Sequence, residues 1–356
     1  MTAFFWALLG VCLAVELISL RHALDGVEYD CRVSKTVVEP GEELELITVL
    51  TNRRRRFLPF LRIVEDVPGD IRCGQELETL SVSGHRAALR SSAYLTPRQR
   101  LTRRTAFSLP ARGRHLFLGA SLAGGDFLGL SERSRAAEVM REVVVLPKSV
   151  GSDVLDALPG GLMGEKSVRR FIHEDPILTM GFREYTGREP MKRISWVQTA
   201  RTGRMMVRNM DYTMERTASV ILNVQTFAFG SYGEELLEKG FSLARGVCER
   251  LEELRVPYSF YTNARMAGGE GLTGEAGDGL GQAHLRPILE GLGRATCDWT
   301  DTLWALIDRA SAAAGDGRTV ILITPMRQDL ADSGVERIVE RTGVEPRILT
   351  VMEVEA

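Results

Sequence analysis

Five cysteines in 356 residues are too few and too scattered for a disulfide framework or a thiolate metal centre. Cys12, Cys31, Cys73, Cys248 and Cys297 never form C-x-x-C, so reduced thiols are expected. Histidine is equally scarce: His22, His85, His115, His173 and His284 are isolated, and none has a neighbour at metal-ligand spacing. No G-x-S-x-G elbow, H-E-x-x-H pair or Walker lysine occurs, so the commonest hydrolase and nucleotide-triphosphatase signatures are missing. Only five of the 45 basic residues are Lys, a bias that reads as genome composition rather than phosphate recognition. Long apolar runs are confined to residues 3–20, which excludes a polytopic membrane chain.

What remains is an ordinary globular composition, 44% hydrophobic and 26% charged, long enough for two or three domains. The net charge of -2 hides an asymmetry, because residues 21–142 carry 20 basic against 16 acidic side chains, whereas residues 213–356 carry 14 against 22. The run AFFWALLGVCLAVELISL over residues 3–20 is apolar apart from Glu16 and Ser19 and, as a helix, would reach about 27 Å. It lacks the basic start and small-residue cleavage site of a signal peptide, so residues 1–24 are expected to be a transmembrane anchor. Arginines follow it at 21 and 53–56, which predicts a single-pass protein of the cell membrane with its body facing the cytoplasm.

After the anchor, VSKTVV and ELELITVLTN alternate around a Pro40-Gly41 turn and predict an antiparallel pair. Further short strand-like runs predict a β-sandwich over residues 25–147. Arg53, Arg54, Arg55 and Arg56 read as a hairpin tip, solvated or touching anionic lipid headgroups of the bilayer. From Ala218 onward SVIL, PYSFYTN, TVILIT and PRILTV alternate with helical patterns, predicting an α/β domain with a mainly parallel sheet over residues 213–356. The Gly-rich stretch at 266–282 is expected to be a mobile loop, and Asp298 and Asp301 could share one helical face or simply cap a helix.

Residues 148–212 connect the two halves and hold the most unusual stretch. Residues 183–208 contain seven basic and two acidic side chains, with Tyr185 and Trp196 among them. Such a segment could bind phosphate or RNA; the favoured expectation is that its arginines pair internally and Trp196 packs against a sheet edge.

Arg183-x-Tyr185, Lys192-Arg193-Ile194-x-Trp196 and Ala200-Arg201-x-Gly203 resemble the signature block of the bacterial family called domain of unknown function 58. Arg112-Gly113-Arg114 leading to Asp126-Phe127-Leu128-Gly129-Leu130 resembles its upstream element, with Phe127-Leu128 in place of Pro-Phe. The resemblance implies a membrane anchor, a β-sandwich and a von Willebrand factor A-like, Rossmann-like domain. It also implies two partners, a MoxR-type AAA+ ATPase and a transglutaminase-like membrane protein. In such a domain Mg²⁺ is bound by Asp-x-Ser-x-Ser after the first strand; the matching positions here are Asn223, Gln225 and Phe227, with Thr226, Thr296 and Asp329 as further oxygen donors. The weakened set predicts little or no Mg²⁺ binding and no other cofactor. The expected function is a non-enzymatic membrane-anchored adaptor or assembly factor, acting with the ATPase on an envelope or other protein complex. Alternatives are a nucleic-acid-binding membrane protein using residues 183–208, or an unrecognised hydrolase.

Overall fold

A computed structural model of the chain describes residues 4, 6, 10, 24–73, 79–82, 86–125, 132–151, 173–185, 194–213, 217–228, 230–268, 274–315, 318–330 and 333–353. It forms two compact units, the first from residues 1–148, 267–272 and 292–295, the second from residues 149–266, 273–291 and 296–356.

The first unit is mostly antiparallel sheet. One sheet runs β1 (Val27–Val33), β3 (Glu43–Asn52), β8 (Arg100–Ser108), β5 (Arg72–Cys73). A second runs β11 (Glu132–Ala137), β10 (Ala120–Gly125), β4 (Leu58–Pro68), β7 (Arg86–Leu95), β6 (Thr79–Val82). A third holds β2 (Val37–Val38), β12 (Arg141–Val145) and β9 (Gly113–Phe117). The period-2 pattern of β3 turns Leu44, Leu46 and Leu50 inward. Leu44 and Leu46 join Val67, Leu89, Phe107, Phe117 and Val143 in one core cluster, and Leu50 joins Leu61, Ile63, Leu95 and Leu122 in another. Burying each such side chain contributes roughly 1.5 to 3 kcal/mol.

Two details differ from the sequence reading. The partner of β3 is β1, in the register Val27↔Asn52 to Val33↔Leu46, rather than VSKTVV. Ser34 ends that ladder by donating its amide to the Glu45 carbonyl and accepting the Glu45 amide at Oγ, and Val37 and Val38 pair in parallel with Val144 and Val145. The four-arginine stretch is not a hairpin tip, because β3 and β4 lie in different sheets and the stretch crosses between them.

In the second unit a ribbon of β13 (His173–Glu184) and β14 (Met206–Thr213) frames the short helix α1 (Trp196–Thr202). A five-stranded sheet follows in the order β18 (Ala276–Gly279), β16 (Tyr258–Thr262), β15 (Ala218–Leu222), β20 (Thr319–Thr324), β21 (Arg347–Thr350). β17 (Ala264–Met266) and β19 (Ala295–Trp299) pair separately. The helices are α2 (Gly230–Glu253), α3 (Gln282–Arg294), α4 (Leu303–Ala312) and α5 (Glu336–Thr342). Apolar residues of α4 and α5, Leu306, Ile307 and Ile338 among them, bury one face of β15 and β20.

These observations correct the expected fold class. The described residues are mainly strand, in small and mixed sheets. The largest sheet of the second unit has four parallel strands of four to six residues and an antiparallel edge, and β19 pairs outside it. The von Willebrand factor A-like, Rossmann-like assignment is therefore withdrawn. The antiparallel edge, β18, comes from the Gly-rich stretch expected to be a loop; Arg318 holds it there by gripping Asp278. Most of the expected anchor, residues 3–20, lies outside the described residues, and among the described residues no helix is long and apolar enough to cross a membrane. The single-pass anchor, the cell-membrane location and the cytoplasm-facing orientation are withdrawn with it.

Candidate functional site

Two constellations in the second unit gather the residues singled out from the sequence. The first is the Arg-rich segment. Ile194 and Val207, both buried, form an isolated bridge, while Ser195 and Tyr185 donate their amides to Met206 and Met205. Thr199 donates its amide to the Ser195 carbonyl, its hydroxyl accepts the Met206 amide, and Gly203 closes α1 in the left-handed conformation at φ 69°. These bonds pin a seven-residue helix to β14 without burying any of its residues. Trp196 is 62% exposed and Val197 66%, and Phe182 and Met205 are exposed as well. Trp196 therefore does not pack into a sheet edge as the sequence suggested. Arg201 is exposed, and Arg204 pairs at 2.5 Å with Glu184, which pushes its guanidinium pKa up. Arg183 stands in β13 opposite Val207; Lys192 and Arg193 lie outside the described residues, as does the upstream element at 126–130.

The second constellation follows the carboxyl ends of β15, β16 and β20. Asn223 is fully buried: Oδ1 accepts from the Gln225 amide and from Asn263 Nδ2, both at 3.0 Å, and Nδ2 donates to the Gln225 carbonyl at 2.9 Å and Thr324 Oγ1 at 3.1 Å. All four hydrogen-bonding positions of that amide are taken. Asp329 accepts from the Phe227 amide at 3.0 Å, from Thr226 Oγ1 at 3.3 Å and, through its other oxygen, from the Met326 amide at 2.9 Å. Gln225 Oε1 accepts the Leu303 amide at the start of α4, at 2.7 Å. Asn223, Gln225, Thr226 and Asp329 are thus brought together, whereas Thr296 donates elsewhere, to the Arg265 carbonyl. Beside them a pocket of about 270 Å³ has Phe227, Leu303 and Trp304 as apolar walls and Thr302, Asp329 and Ser333 as polar ones.

The sequence reading missed Asn263, Trp304 and Ser333. Asn263 ends a buried strand, Tyr258–Thr262, and a polar residue there was the available signal. Asp298 and Asp301 share no helix, because α4 starts at Leu303 with Thr302 accepting the Ala305 amide; Asp301 pairs with Arg309 instead. In the first unit, Arg53 and Arg54 are engaged by Glu28 and Asp25, and Arg55, Arg56 and Phe57 are exposed. Among the described residues no group of three or more His, Cys, Asp or Glu is placed to hold a metal.

No family model matches the chain, and no curated protein matches it. Among solved structures, it is similar to a cohesin module of a Clostridium perfringens family 33 glycoside hydrolase, at 12% identity and a TM-score of 0.25, over 33% of this chain and 96% of that one. It is similar to a non-cellulosomal cohesin from Archaeoglobus fulgidus at 11% identity and a TM-score of 0.23, over 33% and 91%. Likenesses this slight carry no argument about fold or function. Neither the family models nor the curated proteins supply support for domain of unknown function 58, so the motif likeness rests on its residues alone.

Proposed function

We propose that the protein is a non-enzymatic adaptor that docks another protein on the exposed side of α1, with a MoxR-type AAA+ ATPase as the partner and an envelope or other protein complex as the client. The observation that supports this reading is the exposure of Trp196 and Val197 on a helix that buries none of its residues. Apolar side chains exposed together mark interaction surfaces, and Trp and Arg are the residues that most often dominate interface energies. Arg201 on the same helix adds a charge suited to a carboxylate of the partner.

The test measures binding of purified full-length chain to the purified MoxR-type ATPase of the same organism. Trp196→Ala is expected to weaken binding roughly tenfold or more without lowering the unfolding midpoint. Absence of ATPase binding, together with salt-dependent retention of a single-stranded oligonucleotide that Trp196→Ala abolishes, would replace the adaptor by a nucleic-acid-binding protein.

A further inference from the structure

The pocket beside Asp329 involves none of the residues of the Arg-rich segment. We propose that it receives the cationic end of a lysine or arginine side chain presented by a partner protein. At about 270 Å³ it falls below the range of sites that enclose nucleotides or drug-sized ligands, and suits one side chain. Its charge is negative and buried: Asp329 is 7% exposed, and among the described residues it meets only neutral donors, the Thr226 hydroxyl and the Phe227 and Met326 amides. One oxygen takes two of these bonds and the other only one, so Oδ2 can accept one more donor. A buried carboxylate without a counter-charge gains most from an entering cation.

The walls favour the same occupant. Phe227, 62% exposed, offers an aromatic face whose quadrupole attracts ammonium and guanidinium groups, and Trp304, 45% exposed, already holds one such group over its ring. The two arginines of α5 are engaged by Asp308. Arg337 lies 4.5 Å over the Trp304 ring and bonds to Asp308 at 3.0 Å, which fixes the indole, and Arg341 also turns to Asp308. A divalent ion would require several hard oxygen ligands in a fixed geometry, but the Asn223 amide is spent on its neighbours and Gln225 Oε1 on α4.

Intrinsic tryptophan fluorescence of the full chain, titrated at constant ionic strength, tests this. Capped arginine and lysine (N-acetyl amides) are the probes, and capped citrulline is the neutral isostere. Expected is a saturable change with at least one cationic probe, at an apparent Kd of about millimolar, and none with citrulline. Asp329→Asn should abolish it. Because that change also disturbs the Met326 turn, exposed Phe227→Ala supplies a second variant and should weaken binding by about fivefold. Trp196→Ala should leave the titration unchanged, so failure of this site and failure of the adaptor reading are separable. The proposal is overturned by an equal response to citrulline, by the absence of saturation, or by Mg²⁺ alone reproducing the change. Spermidine binding as tightly as the capped side chains would overturn the assignment to a partner protein.

Discussion

Arg103 reaches across the first unit to Glu65: Nη2 of a residue on one sheet lies 3.1 Å from Oε2 of a residue on the facing one. The carboxylate is 1% exposed and also accepts the Tyr29 hydroxyl at 3.0 Å and the Thr48 hydroxyl. It sits among the two apolar clusters, with Tyr29 packed against both. Removing Arg103 leaves the charge buried with neutral donors only. Arg103→Ala should therefore cost roughly 2 to 4 kcal/mol by chemical denaturation, somewhat less than the roughly 3 to 5 of a fully buried broken pair because the arginine is partly solvated. Joint replacement by Leu at 65 and Met at 103 should recover much of the loss. A double variant as unstable as the single one would show that packing or the stranded Tyr29 and Thr48 hydroxyls, not the unpaired charge, dominate.

Two tyrosines make stability fall in alkali. Burial first, then the Glu65 carboxylate and the Cys31 thiol, raises the Tyr29 pKa above its ordinary value. Burial, then Cys248 and Glu252, does the same to Tyr258. A raised folded-state value favours the neutral phenol, so the contribution is fully present below the unfolded value near 10 and is lost as pH rises beyond it. Each should lower stability by about 1.4 kcal/mol per pH unit above 10. Denaturation midpoints between pH 9 and 11.5 check this, and Tyr29→Phe should reduce the slope. An unchanged slope in both Tyr29→Phe and Tyr258→Phe would refute the assignment.

Arg318 ties three strands at one end of the second unit's sheet. Its guanidinium forks onto Asp278 of β18 and also donates to the Ala218 carbonyl of β15 and Ser259 Oγ of β16. A lysine ammonium cannot reproduce the planar fork. Arg318→Lys is expected to destabilise by roughly 2 to 4 kcal/mol, against less than about 1.5 for Asp278→Asn, whose carboxylate is half solvated. Equal costs for the two would mean that the ion pair, rather than the bonds to β15 and β16, fixes the edge.

The limits of the sequence reading follow from the same contacts. SVIL and TVILIT announce β15 and β20 because fully buried strands are continuous apolar runs. β18 is AGDG, with almost no strand propensity, and exists because Arg318, 40 residues away, holds Asp278. Asn223, Gln225, Thr226 and Asp329 could be singled out by position, yet Asn263 enters their network from a different strand end. Trp196 was expected inside because large aromatics usually pack; a seven-residue helix fixed through the Ser195 amide and the Thr199 hydroxyl leaves it outside.

That placement carries its own expectation. Trp196→Ala and Arg201→Ala remove exposed side chains, so each should change stability by less than about 0.5 kcal/mol. Thr199→Val, which removes the acceptor for the Met206 amide, should cost roughly 1 kcal/mol and loosen the helix. A large stability loss from Trp196→Ala would return the motif to a packing role.

Asn223 is the most demanding single position to replace by its acid. In Asn223→Asp one oxygen keeps the donors Gln225 N and Asn263 Nδ2, and Thr324 can rotate its hydroxyl to donate to the other. That second oxygen nevertheless faces the Gln225 carbonyl, now 2.9 Å from the amide nitrogen it replaces. Burial and this repulsion both disfavour the charged form, so the new carboxyl should titrate above its ordinary value near 4. A raised folded-state value means that the deficit against wild type is smallest below about pH 4, where the group is protonated in both states. The deficit grows as pH rises toward the folded value and reaches roughly 1 to 3 kcal/mol at neutrality. Asn223→Ala, which leaves four partners unserved, should instead cost about 2 to 4 kcal/mol at every pH. Paired denaturation curves of the three proteins from pH 4 to 8 separate the cases. A pH-independent deficit in Asn223→Asp would mean that the carboxylate is solvated or has found a cation, and would reopen the metal question at this position.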